Sequence, residues 1–538
     1  MKSPQPEGAP PLEISIEELE ALVEQARPAL SEDGYQKLRG AVHTLRYVTE
    51  LLEKKEASLA DLRQLLCPAT TEKTEKVLKQ AGIDSGPEKP STGPEARAPK
   101  RKARGHGRNG AAAYSGAQKI PVSHASLKPG DACPDGCGGK VYPQREPGVL
   151  VRIKGQPPLA ATVYELEKLR CNLCGNVYTA AAPPEAGEKK YDETAVSMMA
   201  VLRYGTGVPW NRTEGLEANF GIPLPAATQC EILTANAVPL QPALEELKRQ
   251  AAQAEVVHND DTSMRVLSLD RDTDISPERT GVFTSGLVWI VQKCRIALYF
   301  TGCKHAGENL AEVLKLRSPD LPPIIQMCDA LSRNVPKTVG TLVANCNAHG
   351  RRNFVKVTAN FPAPCRFVLE TFREIYGYDA VTREQGMSAE ERLAFHQEHS
   401  KPFMDKLHAW LEAQFDERLV EPNSGLGQAI SYLLKHWQKL TLFLEKPGVP
   451  LDNNIAERAL KKAIRHRKNS LFYKTRNGAQ MGDLFMSLIH TCELNEVNAF
   501  DYLTELLRHV EELKQNPSEW MPWNYRDTLA RLATPAAA

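Results

Sequence analysis

The 538-residue sequence predicts a multidomain α+β protein, and three patterns carry that prediction. Leucines recur every seven residues near the N-terminus, two close cysteine pairs follow a basic Gly/Pro-rich stretch, and further on three strand-like runs, a helix and a fourth strand come in that order. Lys plus Arg (67) almost balance Asp plus Glu (66), so affinity for an anionic partner must come from local clusters. The N-terminus lacks an apolar signal core, and the most apolar window, 286–300, is broken by Gln292, Lys293 and Arg295. No membrane span is expected, and the location expected is cytoplasmic.

Residues 11–83 read as helical, with Leu38, Leu45, Leu52, Leu59 and Leu66 in heptad register. The register argues for a coiled coil and hence self-association, although Lys55 at a seam position leaves room for an amphipathic helix packed on its own chain. Residues 84–119 turn to Gly, Pro, Ala and basic residues and cannot build a core. Lys100, Arg101, Lys102, Arg104 and Arg108 would let this linker lie along phosphates as a basic arm; a plain solvated linker fits equally well.

In residues 120–183 the pattern Cys133-x3-Cys137 and Cys171-x2-Cys174, with Gly136, Gly138, Gly139 and Gly175 beside the thiols, reads as a zinc ribbon. Four thiolates can close tetrahedrally on Zn²⁺, glycine permits the tight turns, and such a closed site is structural. VLVRIKGQP and TVYELEKLR between the pairs are short, β-branched and strand-like. The other cysteines (Cys67, Cys230, Cys294, Cys303, Cys328, Cys346, Cys365, Cys492) are scattered, as in a reducing compartment.

Residues 184–250 read as a helical adaptor. After it, 255–269 reads as a strand, 281–302 as two strands joined by a turn, 307–316 as a helix and 322–331 as an apolar strand ending at Asp329. That order opens a ribonuclease-H-like fold, the catalytic core assigned to 251–365 and 449–514, with a helical insertion at 366–448 and a tail at 515–538. Asp260 on the first strand and Asp329 at the end of the fourth would then lie near each other, a pairing suited to divalent cations.

The segment 451–476, LDNNIAERALKKAIRHRKNSLFYKTR, starts a helix at Asn454 with Glu457 three residues on, an N-x-x-E capping pattern. Arg458, Lys461, Lys462, Arg465, Arg467 and Lys468 follow without an acidic residue. Either Glu457 caps and the cations are a solvated face, or Glu457 holds a metal while the cations hold a nucleic-acid backbone.

Across nearly its whole length the chain resembles transposases of the insertion-sequence sixty-six family, which join an N-terminal helical region, a four-cysteine zinc-binding domain and a DDE catalytic domain. The block PNSGLGQAISYLLKHWQKLTLFLEKPGVPLDNNIAERALKKAIRHRKNSLF resembles the family's stretch around its final glutamate, which implies that Glu457 is the third catalytic carboxylate. The family's D-E-T triplet is matched by Asp260, Asp261 and Thr262, and its D-G-Y by Asp329, Ala330 and Leu331, which implies Asp260 and Asp329 as the other two. Asp261 stands where the family has Glu; strand alternation lets one of the adjacent pair face the metal, and Asp260 is chosen. The CNAHGRRNF block is also family-like; Arg351 and Arg352 in it would contact phosphate or else pair with nearby carboxylates, and Cys346-x2-His349 reads as a buried thiol and a locally bonded imidazole.

The resemblance implies a DNA transposase that binds the ends of its element and performs cleavage and strand transfer with Mg²⁺ or Mn²⁺ at the carboxylates and Zn²⁺ in the ribbon. It implies assembly into at least a dimer, because two element ends are handled together, and leaves room for accessory proteins of the same element. The rival readings are a non-catalytic DNA-binding regulator and a nuclease of the same fold that hydrolyses without joining.

Overall fold

The structure is a computed structural model that describes residues 16–32, 34–40, 42, 74–80, 119–135, 137–142, 150, 153, 156–170, 172, 176–269 and 281–533. The chain divides into two compact units, 1–86 and 87–538. In the first, α1 (Ile16–Ala26) leads through a 3₁₀ turn (Arg27–Ala29) to helical residues 34–40. Val23, Tyr35 and Val42 bury one another with Leu19 against them, so the apolar stripe of α1 is covered by its own chain. Leu38 is half-exposed; Leu45, Leu52, Leu59 and Leu66 lie outside the described residues. A further helix, α2 (Thr74–Gln80), buries Leu78.

In the second unit the described residues include a tight loop in which the Cys133 amide donates to the Gly139 carbonyl and the Val141 amide to that of Asp131. Gly138 sits at φ +79°, a conformation that favours glycine. Strand β1 (Lys168–Arg170) pairs antiparallel with β2 (Val177–Thr179). Of the two expected ribbon strands, TVYELEKLR is extended only in its last three residues, and the described part of VLVRIKGQP carries no strand pairing.

Four helices follow: α3 (Glu193–Ala200), α4 (Trp210–Asn219), α5 (Ala226–Ala237) and α6 (Gln241–Ala251), with a π-helical turn at Val201–Gly205. A mixed sheet comes next, made of β3 (Val256–Ser263), β4 (Phe283–Val291), β5 (Cys294–Gly302), β6 (Ile325–Cys328) and β7 (Leu342–Asn345). Its order is β5-β4-β3-β6-β7, antiparallel on the β5 side of β3 and parallel on the other. The strand, hairpin, helix and strand expected over 255–331 are all present, with α7 (Ala306–Leu314) as the crossover. Leu233 and Leu247 from the helices, Trp289 and Leu298 from the sheet, and Phe485 and Leu488 from a later helix share one core, so 184–250 is packed into the sheet domain.

Beyond β7 run α8 (Asn347–Val357), then α9 (Pro362–Glu384), α10 (Ala389–His399), α11 (Lys401–Asp416) and α12 (Gly425–Leu440), in the stretch expected to be helical. The chain returns as α13 (Asn454–Ser470) against β3 and β4 and α14 (Arg476–Leu494) against β5; α15 (Ala499–Arg508), α16 (Val510–Gln515) and α17 (Tyr525–Ala533) close it.

An exposed edge strand leaves amides and carbonyls unpaired. Here α14 satisfies them with side chains: Asp483, Ser487, Thr491 and Asn495, one per helical turn, meet the amides of Thr301, Tyr299, Ala297 and Arg295, every second residue of β5. The match is geometric, because four helical residues advance about 6 Å and two strand residues about 7 Å.

Candidate active site

β3 places a polar run, His258-Asn259-Asp260-Asp261, at the centre of the sheet, and each side chain has a different task. Asp260 lies beside Asp329, which follows β6, the parallel neighbour of β3. Asn334 joins them: its Nδ2 is 3.3 Å from Asp260 Oδ1 and 2.5 Å from Asp329 Oδ1. Burial and then the Asp329 charge push the Asp260 carboxyl up to about 7. Asp261 points elsewhere, to His305 Nδ1 at 2.9 Å and Arg333 at 3.1 Å. Strand alternation therefore separates the adjacent aspartates, and Asp260 is the one beside Asp329.

Behind the pair is a buried amide network that sequence reasoning missed. Asn259 and Gln326 both donate to the Asn334 carbonyl, Gln326 also donates to Asn259 Oδ1, and Thr341 donates to Gln326 Oε1. Buried amides hold one geometry only when their partners are present, so this network fixes the 332–334 turn under the two carboxylates. The available signal was polarity out of place: Gln326 stands alone in the otherwise apolar β6, and His258 and Asn259 follow directly on the buried Val256 and Val257 of β3.

Glu457 sits in the first turn of α13 but does not cap it. The N-cap is Asn453, whose side chain makes no cap bond, so the N-x-x-E capping expectation is corrected. Asn453 is diverted to β3, with Oδ1 3.2 Å from His258 Nδ1 and Nδ2 donating to the Asn259 carbonyl at 3.1 Å. Its amide donates to Cys346 Sγ, and Asp452 Oδ1 accepts from the Asn454 amide instead. The base of the α13 helix is thereby fastened to the strand that carries Asp260. Burial holds His258 down to about 4, so its ring is neutral at physiological pH and serves as a hydrogen-bonding strut.

The Glu457 carboxylate is gripped by Arg352 of α8, both guanidinium nitrogens at 2.8 Å, with His349 Nε2 at 3.8 Å. Burial pushes its carboxyl up, yet the Arg352 bonds and charge, with His349, outweigh that and hold it below the ordinary glutamate range. The structure thus brings Asp260 and Asp329 together and holds Glu457 on Arg352. Among the described residues no three His, Cys, Asp or Glu side chains are grouped as a metal site.

The expected DNA contacts separate into exposed and engaged residues. Arg458, Lys461, Arg465 and Lys468 are exposed at helical spacing along α13, a cationic stripe running away from Glu457. Arg467 is turned inward to Thr262 Oγ1 at 3.2 Å and to the Ser263 hydroxyl and carbonyl, bracing the end of β3. Arg351 is only 8% exposed and Arg352 is occupied by Glu457, so neither is offered to a duplex in this state. Lys100, Arg101, Lys102, Arg104 and Arg108 lie outside the described residues.

Of the zinc-type cysteines, Cys133 and Cys137 are neighbours, and the Gly139 amide and then Cys133 lower the Cys137 thiol. Cys171 and Cys174 fall between β1 and β2, outside the described residues. Among the described residues no helix is long and apolar enough to cross a membrane.

Residues 189–481 match the Transposase IS66 family. The chain is 26% identical over 402 residues, 69% of each protein, to uncharacterized protein y4hP of Sinorhizobium fredii. It is 30% identical over 188 residues, 34% of this chain and 36% of the other, to uncharacterized protein y4jD of the same organism. The family match contains β3, β6 and α13, hence the two aspartates, Asn334, Arg352 and Glu457, and it spans more than half of the chain: the protein belongs to the IS66 family of transposases.

Proposed function

We propose that the protein cleaves and joins DNA strands at the ends of its mobile element, with Asp260, Asp329 and Glu457 as catalytic carboxylates on a ribonuclease-H-like core. The sheet order β5-β4-β3-β6-β7, with β4 antiparallel to β3 and both β6 and β7 parallel, supports that fold. The observation that carries the chemistry is Asp260 beside Asp329. Two partly buried carboxylates, one pushed up to about 7 by burial and then by the charge of the other, fit a divalent cation, whose charge would relieve the repulsion. Asp260, Asp329 and Glu457 would hold Mg²⁺ or Mn²⁺, which when bound would polarise the attacking oxygen and stabilise the leaving one.

The chain's own residues supply the rest. Asn334 orients the aspartate pair and Asn453 ties the α13 helix to β3. Arg352 keeps Glu457 ionised in the metal-free state and would yield it to the cation, and the exposed α13 cations hold the backbone of the strand being cut. The adjacent Cys133 and Cys137 fit half of a structural zinc site, which Cys171 and Cys174 would complete. Two DNA ends require at least two copies of the chain.

The test is to incubate purified protein and Mg²⁺ or Mn²⁺ with duplexes carrying the element's ends and a target plasmid. Nicked and joined products are expected from the wild type and none from Asp260→Ala or Glu457→Ala. Products that survive both substitutions would remove the catalytic assignment; nicks without joining would make the protein a nuclease.

A further inference from the structure

The α13 helix ends in a way that packing alone does not call for. After Ser470 the chain turns at Leu471 with φ +68° and ψ −46°, closed by a 2.8 Å hydrogen bond from the Phe472 amide to the Ser470 carbonyl. This is a γ-turn of the strained hand, which a branched side chain rarely adopts. The strain gains no burial for the residue that bears it. Leu471 is 68% exposed and Phe472 38%.

The turn is held rigidly from beneath. Tyr473 is buried, its amide donates to the Arg265 carbonyl, and its own carbonyl accepts from Leu267, so the segment bridges to the chain just beyond β3. Two apolar side chains are thus fixed outward on a strained, anchored turn between exposed Lys468 on one side and exposed Lys474 and Arg476 on the other. Apolar side chains flanked by phosphate-binding cations, at the end of a cationic helix, match the requirements of a wedge that enters a base step while the neighbouring charges hold the backbone.

We infer that Leu471 and Phe472 insert into the base stack of duplex DNA bound along α13 and unstack a base step there. The inference rests on the reading of the protein as a DNA-binding transposase and adds a duplex-distorting contact to it. Leu471 follows Glu457 by fourteen residues, about 21 Å along the helix and hence about six base steps from the reacting phosphate. At that distance the wedge deforms the duplex beside the reaction and takes no part in the chemistry.

Relaxed closed-circular plasmid is the probe, because unstacking unwinds DNA and phosphate contacts alone do not. The full chain, supplied with Zn²⁺, is added without Mg²⁺, Mn²⁺ or chelator, with a topoisomerase that needs no divalent cation; the protein is then removed and the linking number is read on a gel. Wild type is expected to leave the plasmid supercoiled in proportion to protein bound. At matched plasmid occupancy, the Leu471→Ala/Phe472→Ala pair is expected to lose that change. Leu471→Gly, which suits a positive φ, is expected to lose most of it while Tm stays level or rises, which separates the effect from misfolding. Unwinding by the double variant equal to wild type, or wild-type binding with no unwinding, overturns the wedge and leaves DNA binding standing. Failure of the wild type to shift the plasmid at all overturns both readings.

Discussion

Arg352 and Glu457 meet in a two-pronged ion pair, both nitrogens 2.8 Å from the two carboxylate oxygens. A planar fork on a carboxylate is the strongest form of such a pair, and it occupies the same oxygens a cation would need. Arg352 and a metal therefore compete for Glu457. With side chains 31% and 22% exposed, the pair contributes about 1 kcal/mol. Arg352→Gln is expected to lower unfolding stability by about that much in EDTA, measured in urea. The same variant should need less Mn²⁺ for a half-maximal rise in Tm. An unchanged Mn²⁺ dependence would mean that Glu457 does not bind the ion.

The raised Asp260 carboxyl makes a pH prediction. Its folded value is about 7 against an ordinary 3.8, so between those pH values the folded state holds a proton that the unfolded chain has released. The contribution is fully present below the unfolded value and is lost as pH rises through the folded one, at up to about 1.4 kcal/mol per pH unit. Asp260→Asn removes the titration: in EDTA its Tm should fall less than that of wild type between pH 5 and pH 8, while strand cleavage is abolished. Equal pH dependence in the two proteins would show that Asp260 is not held desolvated beside Asp329 in solution.

Four strands of the central sheet were legible from β-branched and apolar runs bounded by turn residues, whereas β7, only four residues long, was not read, and the three carboxylates were marked by a block resemblance alone. What periodicity could not supply was the use made of polar residues. Asn453 and Asn454 look alike as caps, yet Asn453 is taken by His258 and Asn259 across the fold, leaving the helix N-terminus to Asp452. Arg467 and Lys468 are adjacent in one basic run; only the turn of the helix sends Arg467 to Ser263 and leaves Lys468 exposed. Asn334, five residues past Asp329, gave no local signal, because its role depends on β6 lying beside β3.

The covered edge of β5 predicts a cost for removing small hydroxyls. Ser487 Oγ accepts from the buried Tyr299 amide and Thr491 Oγ1 from that of Ala297, both at 3.0 Å. Ser487→Ala and Thr491→Val leave those amides without partners in the core. Each substitution is expected to cost about 1–3 kcal/mol, read by urea denaturation, with cleavage per folded molecule unchanged. A cost below a few tenths would mean that water reaches the β5 edge.

Gly307 offers a way to disturb the aspartate pair without touching it. It lies in the first turn of α7, where an added Cβ would stand 2.6 Å from the Val335 carbonyl oxygen and 2.8 Å from that of Arg333. Both obstructing atoms are backbone and flank Asn334, so relief must come from moving the turn. Gly307→Ala is therefore expected to displace Asn334 from Asp260 and Asp329, costing about 1–3 kcal/mol in stability. Because Asn334 orients both carboxylates, strand cleavage should fall by about tenfold or more even where the protein remains folded. Gly377, whose added Cβ would meet nothing within 4 Å, is the control: Gly377→Ala should leave cleavage intact. Undiminished cleavage by Gly307→Ala would show that the 332–334 turn does not set the geometry of the pair.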